Sequence, residues 1–405
     1  MEQKWIFEGI KVLDFTTGAV GPLTTKYLSD HGATVVHIES RLRPDVTRTV
    51  GPFKDGMPEL DHSAWQPNYH TSKYGLTLNM ELPKAREIAW KLIDWCDVIA
   101  EGFTPDVMKK WGMDYKSVRK VKPDVIYFST CQMGQYGPHA GFRGYGGHAA
   151  AVGGFVHMLG WPDREPAIPW GAYTDFITPR FGGAALLAAL DYRRRTGKGQ
   201  YIDISQFECG ITFLAPVIMD YCVNGRIQTR NGNKVPDAAP HAAYACKGEE
   251  RWVAIAVTSD AEWQAFCKVI GETAWTKDPR FQTLMGRKEN EDELNTLVEA
   301  WTRNYPPEEV MSRMQAAGVP AGVIENEEDL WEDPQLKYRE HFKILNHVVI
   351  GDHHYDGVIF KLSKSPQGPR WAGPALGQHI KKVCTEFLGM TENDISDLMA
   401  EGVFE

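Results

Sequence analysis

Short apolar runs rich in β-branched residues recur along the first half of the chain, and helical patterns separate them. KVLDF (11–15) predicts a strand that runs into TTGAVGP. PLTTKYLSDHG (22–32) predicts a helix closed by Gly32, and TVVHI (34–38) a second strand ending in Glu39. Strand, helix and strand at this length imply a parallel βαβ unit, because a parallel pair needs a crossover connection. The alternation continues through TSKYGLTLNM (71–80), an amphipathic helix over 81–95, strands at 97–101 and 124–129, and a helix opening within GFTPDVMKKWG (102–112). After a strand at 201–205, an apolar helix covers 206–224. From about 230 the pattern changes to a hairpin (244–246 with 252–257) and helices near 260–270, 287–303 and 307–317. Short strands at 343–349 and 355–360 and a terminal helix pair follow. The fold class is α/β with a Rossmann-like start, so ligands are expected beyond the carboxyl ends of the strands, at 15–22 and 39–48.

The chain is organised around Pro169–Ser205. Thr178 suits an N-cap and Pro179 a first helical position. The run 183–190 is apolar on nearly every side, which predicts a buried helix. Arg193–Arg195 complement its dipole and Gly197 ends it. This reading leaves Asp175 just ahead of the helix, among Trp170, Tyr173 and Phe176. Such an aspartate is either a cap or a functional carboxylate, and with Thr178 in the capping position the second reading is favoured.

A dinucleotide enzyme is the first alternative, with Glu39 in place for a ribose. The first turn, Gly18-Ala19-Val20-Gly21, lacks the G-x-G-x-x-G spacing a pyrophosphate needs. Arg41, Arg43 and Arg48 read either as a solvated loop or as a phosphate cradle. The glycine-rich stretch 131–155 is too long for a bland connection and is expected to be functional.

Composition narrows the classes. With 405 residues the chain has room for more than one domain, and a net charge of −9 argues against nucleic-acid binding. The N-terminal segment has no signal-peptide pattern and no run reaches membrane-span length. Seven cysteines without a C-x-x-C pair read as reduced thiols of a cytoplasmic protein, and thirteen histidines show no metal-ligand spacing, so no metal is expected.

GIKVLDFTTGAVGP, LSDHGATVVHIE, SKYGLTLNM, 96–138, YTDFITPRFGGAALLAALDYRRRTGKGQYIDIS and PALGQHIKKVCTEFLGMTENDISDLMAEGV together resemble the class III CoA-transferases, the formyl-CoA transferase and carnitine CoA-transferase type. The resemblance implies a large Rossmann-like domain built from both chain ends (1–225 and 326–405), a small α+β domain (226–325), and an interlocked dimer, either a homodimer or a heteromer with a related subunit. It implies CoA thioesters as substrates, no permanently bound cofactor, and Asp175 as nucleophile. CoA is then expected along Ala19, Arg41, Ser72, Lys73, Gly102, Phe103, Thr104, Lys110, Cys131 and Gly134, with Tyr145, Trp170 and Tyr173 at the acid. Ala19 and Cys131 replace a glutamine and a lysine of the formyl-CoA branch, and Tyr145 stands where racemases of the family carry histidine. Seven aromatics flanking the expected site (Phe53, Trp65, Tyr69, Trp161, Trp170, Tyr173, Phe176) point to a bulky or aromatic acceptor, and the resemblance, closest to the benzylsuccinate branch, implies benzylsuccinate as that acid and succinyl-CoA as donor. A carnitine, 2-hydroxy-acid or oxalate transferase, and a non-catalytic subunit, are the alternatives.

Overall fold

A computed structural model describes residues 3–169, 171–271 and 273–405. The chain divides into two compact units. One comprises the chain to Val156, Ile168–Ile227 and Tyr338–Glu405; the other comprises His157–Ala167 and Gln228–Lys337.

The first unit is built on a six-stranded sheet: β1 (Lys11–Phe15), β2 (Thr34–Glu39), β3 (Lys73–Thr77), β4 (Val98–Glu101), β5 (Ile126–Cys131) and β6 (Gln200–Ser205). Its order is β3-β2-β1-β4-β5-β6 and every pair is parallel. Leu13, Val36, Ile99 and Phe128 are fully buried, as strands covered on both faces require. The order reverses between β1 and β4, which opens a crevice where their carboxyl ends diverge. An antiparallel hairpin, β10 (Phe342–His347) with β11 (Gly351–Asp356), belongs to this unit. The second unit has an antiparallel sheet of β7 (His241–Ala245), β8 (Trp252–Ala256) and β9 (Ala321–Ile324) over a core holding Trp263, Phe266 and Phe281.

Two expectations about helices need correction. The helix after the glycine-rich stretch runs Tyr173–Thr196, so it begins five residues before Thr178, and Pro179 lies inside it. Pro179 is the seventh residue of the helix and has no N–H to donate to the Asp175 carbonyl, so the ladder is interrupted there. Gly197 caps the far end with φ 71°, in the left-handed region. This helix is buried on one side only. Ile177, Leu186 and Ala189 face inward, whereas Phe181 and Leu187 are exposed. Gly182 allows its close approach to the Val20–Ser29 helix, since a Cβ there would lie 2.9 Å from Thr24 Oγ1. The expected 206–224 helix is two, Gln206–Phe213 and Ala215–Asn224, separated at Leu214. Among the described residues no helix is long and apolar enough to cross a membrane.

Candidate active site

The crevice at the sheet's switch point holds a cavity of about 550 Å³. Its walls come from five places: the turn after β1 (Thr17–Gly21), Val46 after β2, the turn after β4 (Gly102, Thr104), the end of β5 with the glycine-rich segment (Thr130–Gln132, Ala140, Phe142–Gly146, His148), and Asp175 with Gln206. Asp175 sits in the first turn of its helix, where the positive end of the dipole favours an anion. Burial works the other way and pushes its carboxyl up to about 7. No cation among the described residues offsets that burial, which leaves a basic, poorly solvated carboxylate facing the cavity.

The loop before Asp175 is shaped around it. A Cβ on Gly146 would lie 2.4 Å from Asp175 Oδ1, so only glycine fits there. Thr174 Oγ1 donates to the Gly146 carbonyl at 3.1 Å and ties the loop to the helix. At the end of β4, Glu101 accepts from the Phe103 N–H at 2.9 Å and from the Gln135 side chain at 3.3 Å. Burial, with Asp203 nearby, raises its carboxyl to about 7, only partly opposed by Ser129 and the Phe103 N–H.

A second cavity, of about 540 Å³, opens at the ends of β1, β2 and β4 and shares Thr17 with the first. Ile38, Leu42, Leu78, Met80, Phe103 and Trp111 form its apolar walls, and Arg43 is its cation.

The structure brings Ala19, Gly102, Thr104, Cys131, Tyr145 and Asp175 together around the first cavity and places Phe103 in the second. Gly134 is buried beside Asp203. Burial raises the Cys131 thiol to about 11, so it is protonated. Arg41 and Lys110 are exposed and line neither cavity; Arg43 occupies the place proposed for Arg41. Ser72 and Lys73 are corrections. Ser72 is fully buried and donates to Asp30. Lys73 is fully buried, with its ammonium 3.0 Å from Asp14 Oδ2 and 2.7 Å from Thr25 Oγ1, so it has no hydrogen-bonding capacity turned toward a phosphate. Burial opposes ionisation of Asp14, yet Lys73 and His37 outweigh it and hold the carboxyl well below its ordinary range. Asp14, His37 and His70 have the donor set of a metal site, but the lysine ammonium already supplies the cation there. Arg48, read as part of a cradle, is buried and spans Glu39 and Asp61.

The aromatic lining is also corrected. Trp170 lies outside the described residues. Tyr173 packs its ring on Phe155, and Trp65 packs on Tyr69. Trp161 belongs to the second unit, against Gly232. Among the described residues lining the cavity, Phe142 and Tyr145 are the only Phe, Tyr or Trp. Arg143, Gln132 and Gln206, which residue patterns did not single out, line it as well. The unusual length and glycine content of 131–155 were the only signal for the first two.

A parallel sheet of this order, with a desolvated aspartate over its switch point and two adjoining cavities, has the geometry of a ligand-binding crevice. Residues 7–380 match the family model of CoA-transferase family III, and the chain belongs to that family. It is 30% identical over 396 residues to succinyl-CoA–D-citramalate CoA-transferase of Chloroflexus aurantiacus, covering 98% of this chain and 97% of that protein. It is 28% identical to the beta subunit of succinyl-CoA–L-malate CoA-transferase from the same organism, covering 98% and 97%. A crystal structure of a CAIB/BAIF family protein from Brucella suis superposes with a TM-score of 0.86 at 29% identity, over 95% of this chain and 100% of that one.

Proposed function

We propose that the protein moves CoA from an acyl-CoA, with succinyl-CoA as donor, to a free carboxylic acid, using Asp175 as nucleophile. The observation that carries this reading is the uncompensated, half-buried carboxylate of Asp175 in the cavity at the switch point. A carboxylate suits the task because its acyl adducts stay activated. Asp175 attacks the thioester carbonyl and CoA thiolate departs, leaving an acyl–aspartyl anhydride. The thiolate attacks the aspartyl carbonyl, frees the donor acid and forms an aspartyl–CoA thioester. The acceptor carboxylate displaces the thiolate to give a second anhydride. Attack of the thiolate on the acceptor's acyl carbon then releases the new thioester and restores Asp175. No proton changes hands and no ATP is consumed.

The second cavity suits the nucleotide of CoA, with apolar walls for the base and Arg43 for phosphate. The chain then passes Thr17 to bring the thioester to Asp175. The N–H groups of Gly146 and Gly147, in the first turn of a short helix, have no intrahelical acceptor and suit developing oxyanions, each worth about 3 kcal/mol when well aimed. Benzylsuccinate is not favoured as the acceptor, because among the described residues lining the cavity beside Asp175 only Phe142 and Tyr145 offer a ring for a phenyl group to pack on, and Thr130, Gln132, Arg143 and Gln206 line it as well. The two named relatives act on citramalate and malate, short hydroxy-diacids, and an acceptor of that kind fits such walls better. The exposed apolar side chains Phe181, Leu187, Phe213, Met219 and Val223 support assembly with a second chain of the same kind.

Isotope exchange tests the reading. Labelled succinate should enter succinyl-CoA in the presence of the protein without any other acid. Absence of exchange, or exchange that persists in Asp175→Asn, would overturn it.

A further inference from the structure

The cavity beside Asp175 contains more polar capacity than the transfer itself uses. Thr130 and Gln132 are 3% and 9% exposed, and Thr130 Oγ1 and Gln132 Oε1 are buried oxygens with no hydrogen-bond partner. Gln206 Oε1 is a third such oxygen, and all three residues line the cavity. A buried polar group without a partner costs about 1–3 kcal/mol, so a ligand that completes its bonding is favoured. Rotating the glutamine side chains presents an amide donor or acceptor, and the threonine hydroxyl does either.

Charge gives the arrangement its direction. Among the described residues lining the cavity, Arg143 is the single arginine or lysine and Asp175 the single acid. Arg143 is exposed and has no ion pair among the described residues. It lies three positions before Gly146, which touches Asp175, so the two backbones are within about 11 Å. In both the anhydride and the aspartyl–CoA thioester, Asp175 is neutral. Arg143 is then a cation with no counter-charge in the cavity walls.

Building on the transferase reading, we propose that this cavity is a diacid subsite. Arg143 pairs with the distal carboxylate of a short dicarboxylic acid, and Gln132, Thr130 and Gln206 hydrogen-bond its remaining oxygens while the proximal carboxylate faces Asp175. A guanidinium matches a carboxylate through two parallel N–H bonds. An acid without the second carboxylate leaves the cation and the buried oxygens unpaired, and such sites discriminate strongly against the lacking analogue.

Glutarate and valerate, five-carbon acids that differ in the second carboxylate, provide the test. In this double-displacement scheme kcat/KM for the acceptor reports only the second half-reaction, so one donor, succinyl-CoA, serves both. The wild type should prefer glutarate. Arg143→Gln should lower kcat/KM for glutarate by about 10- to 100-fold with valerate unchanged, and Arg143→Lys should restore part of the loss. Gln132→Leu should lower the same preference by a smaller factor. Equal losses for both acids, or a loss that appears in KM for succinyl-CoA instead, would overturn the diacid subsite while leaving the transferase reading intact. Failure of the wild type to exchange succinate into succinyl-CoA would remove both.

Discussion

Asp14, fully buried, and Asp175, half-buried, are two carboxylates of the same unit, and their surroundings are opposite. Asp14, on β1, has a lysine ammonium at 3.0 Å, two threonine hydroxyls at 2.5 and 2.6 Å and the Thr16 N–H at 2.9 Å. Asp175 has burial without a balancing cation, which pushes its carboxyl up to about 7. The first arrangement consumes all its charge internally and fastens β1, β3 and the Val20–Ser29 helix. The second leaves a charge to be satisfied by chemistry. Strong perturbation alone does not identify a functional group; the presence or absence of compensation does.

The contrast breaks most completely at Asp175. Asp175→Asn should abolish transfer to the detection limit while circular dichroism and elution volume stay unchanged. Lys73→Met should do the reverse. It strands the Asp14 charge in the interior and should lower the unfolding free energy by about 3–5 kcal/mol, read by denaturant titration, with KM for the CoA thioester unaltered in whatever folded protein remains. A large KM effect in a stable Lys73 variant would return that lysine to the phosphate site.

Gly146→Ala sharpens the comparison at the loop. Its methyl would sit 2.4 Å from Asp175 Oδ1, and displacing the nucleophile should reduce kcat about 100-fold with modest loss of stability. The smallest effects come from pH. Transfer needs the Asp175 carboxylate, so kcat/KM should fall about tenfold per unit below pH 7. Stability has the opposite sign. Between about 4 and 7 the folded protein keeps a proton on Asp175 that the unfolded chain has lost, so its contribution to stability declines as pH rises through that window. Asp175→Asn should therefore raise Tm more at pH 8 than at pH 5, by up to about 3 kcal/mol in equivalent free energy. An equal Tm shift at both pH values would contradict the raised carboxyl.

The sheet was legible because its strands are short, β-branched and apolar on both faces, and β1 and β2 begin at the residues the pattern predicts. Asp175 was singled out by a reason that the structure replaces: Thr178 is not the N-cap, and Asp175 lies in the first turn with Ala172 as N-cap. The start of its helix was not legible, because Pro179 fits a first helical position as well as the place it occupies inside the first turns. Lys73 was misread for a different reason. Its partner lies 59 positions away, and no local pattern distinguishes a surface lysine from one folded onto a buried aspartate. The aromatic acceptor pocket failed similarly: Trp161 and Tyr173 are near the site in sequence but are used in packing elsewhere. Gln132 and Arg143 gain meaning only once the glycine-rich segment is folded over the switch point.

The central claim is a covalent bond between Asp175 and CoA. The protein is mixed with succinyl-CoA in the absence of another acid, quenched, treated with borohydride and digested. The reduced, homoserine-like residue produced from an aspartyl thioester should appear at position 175 and be absent from Asp175→Asn. Modification at another carboxylate, or none in protein that exchanges succinate, would contradict the account.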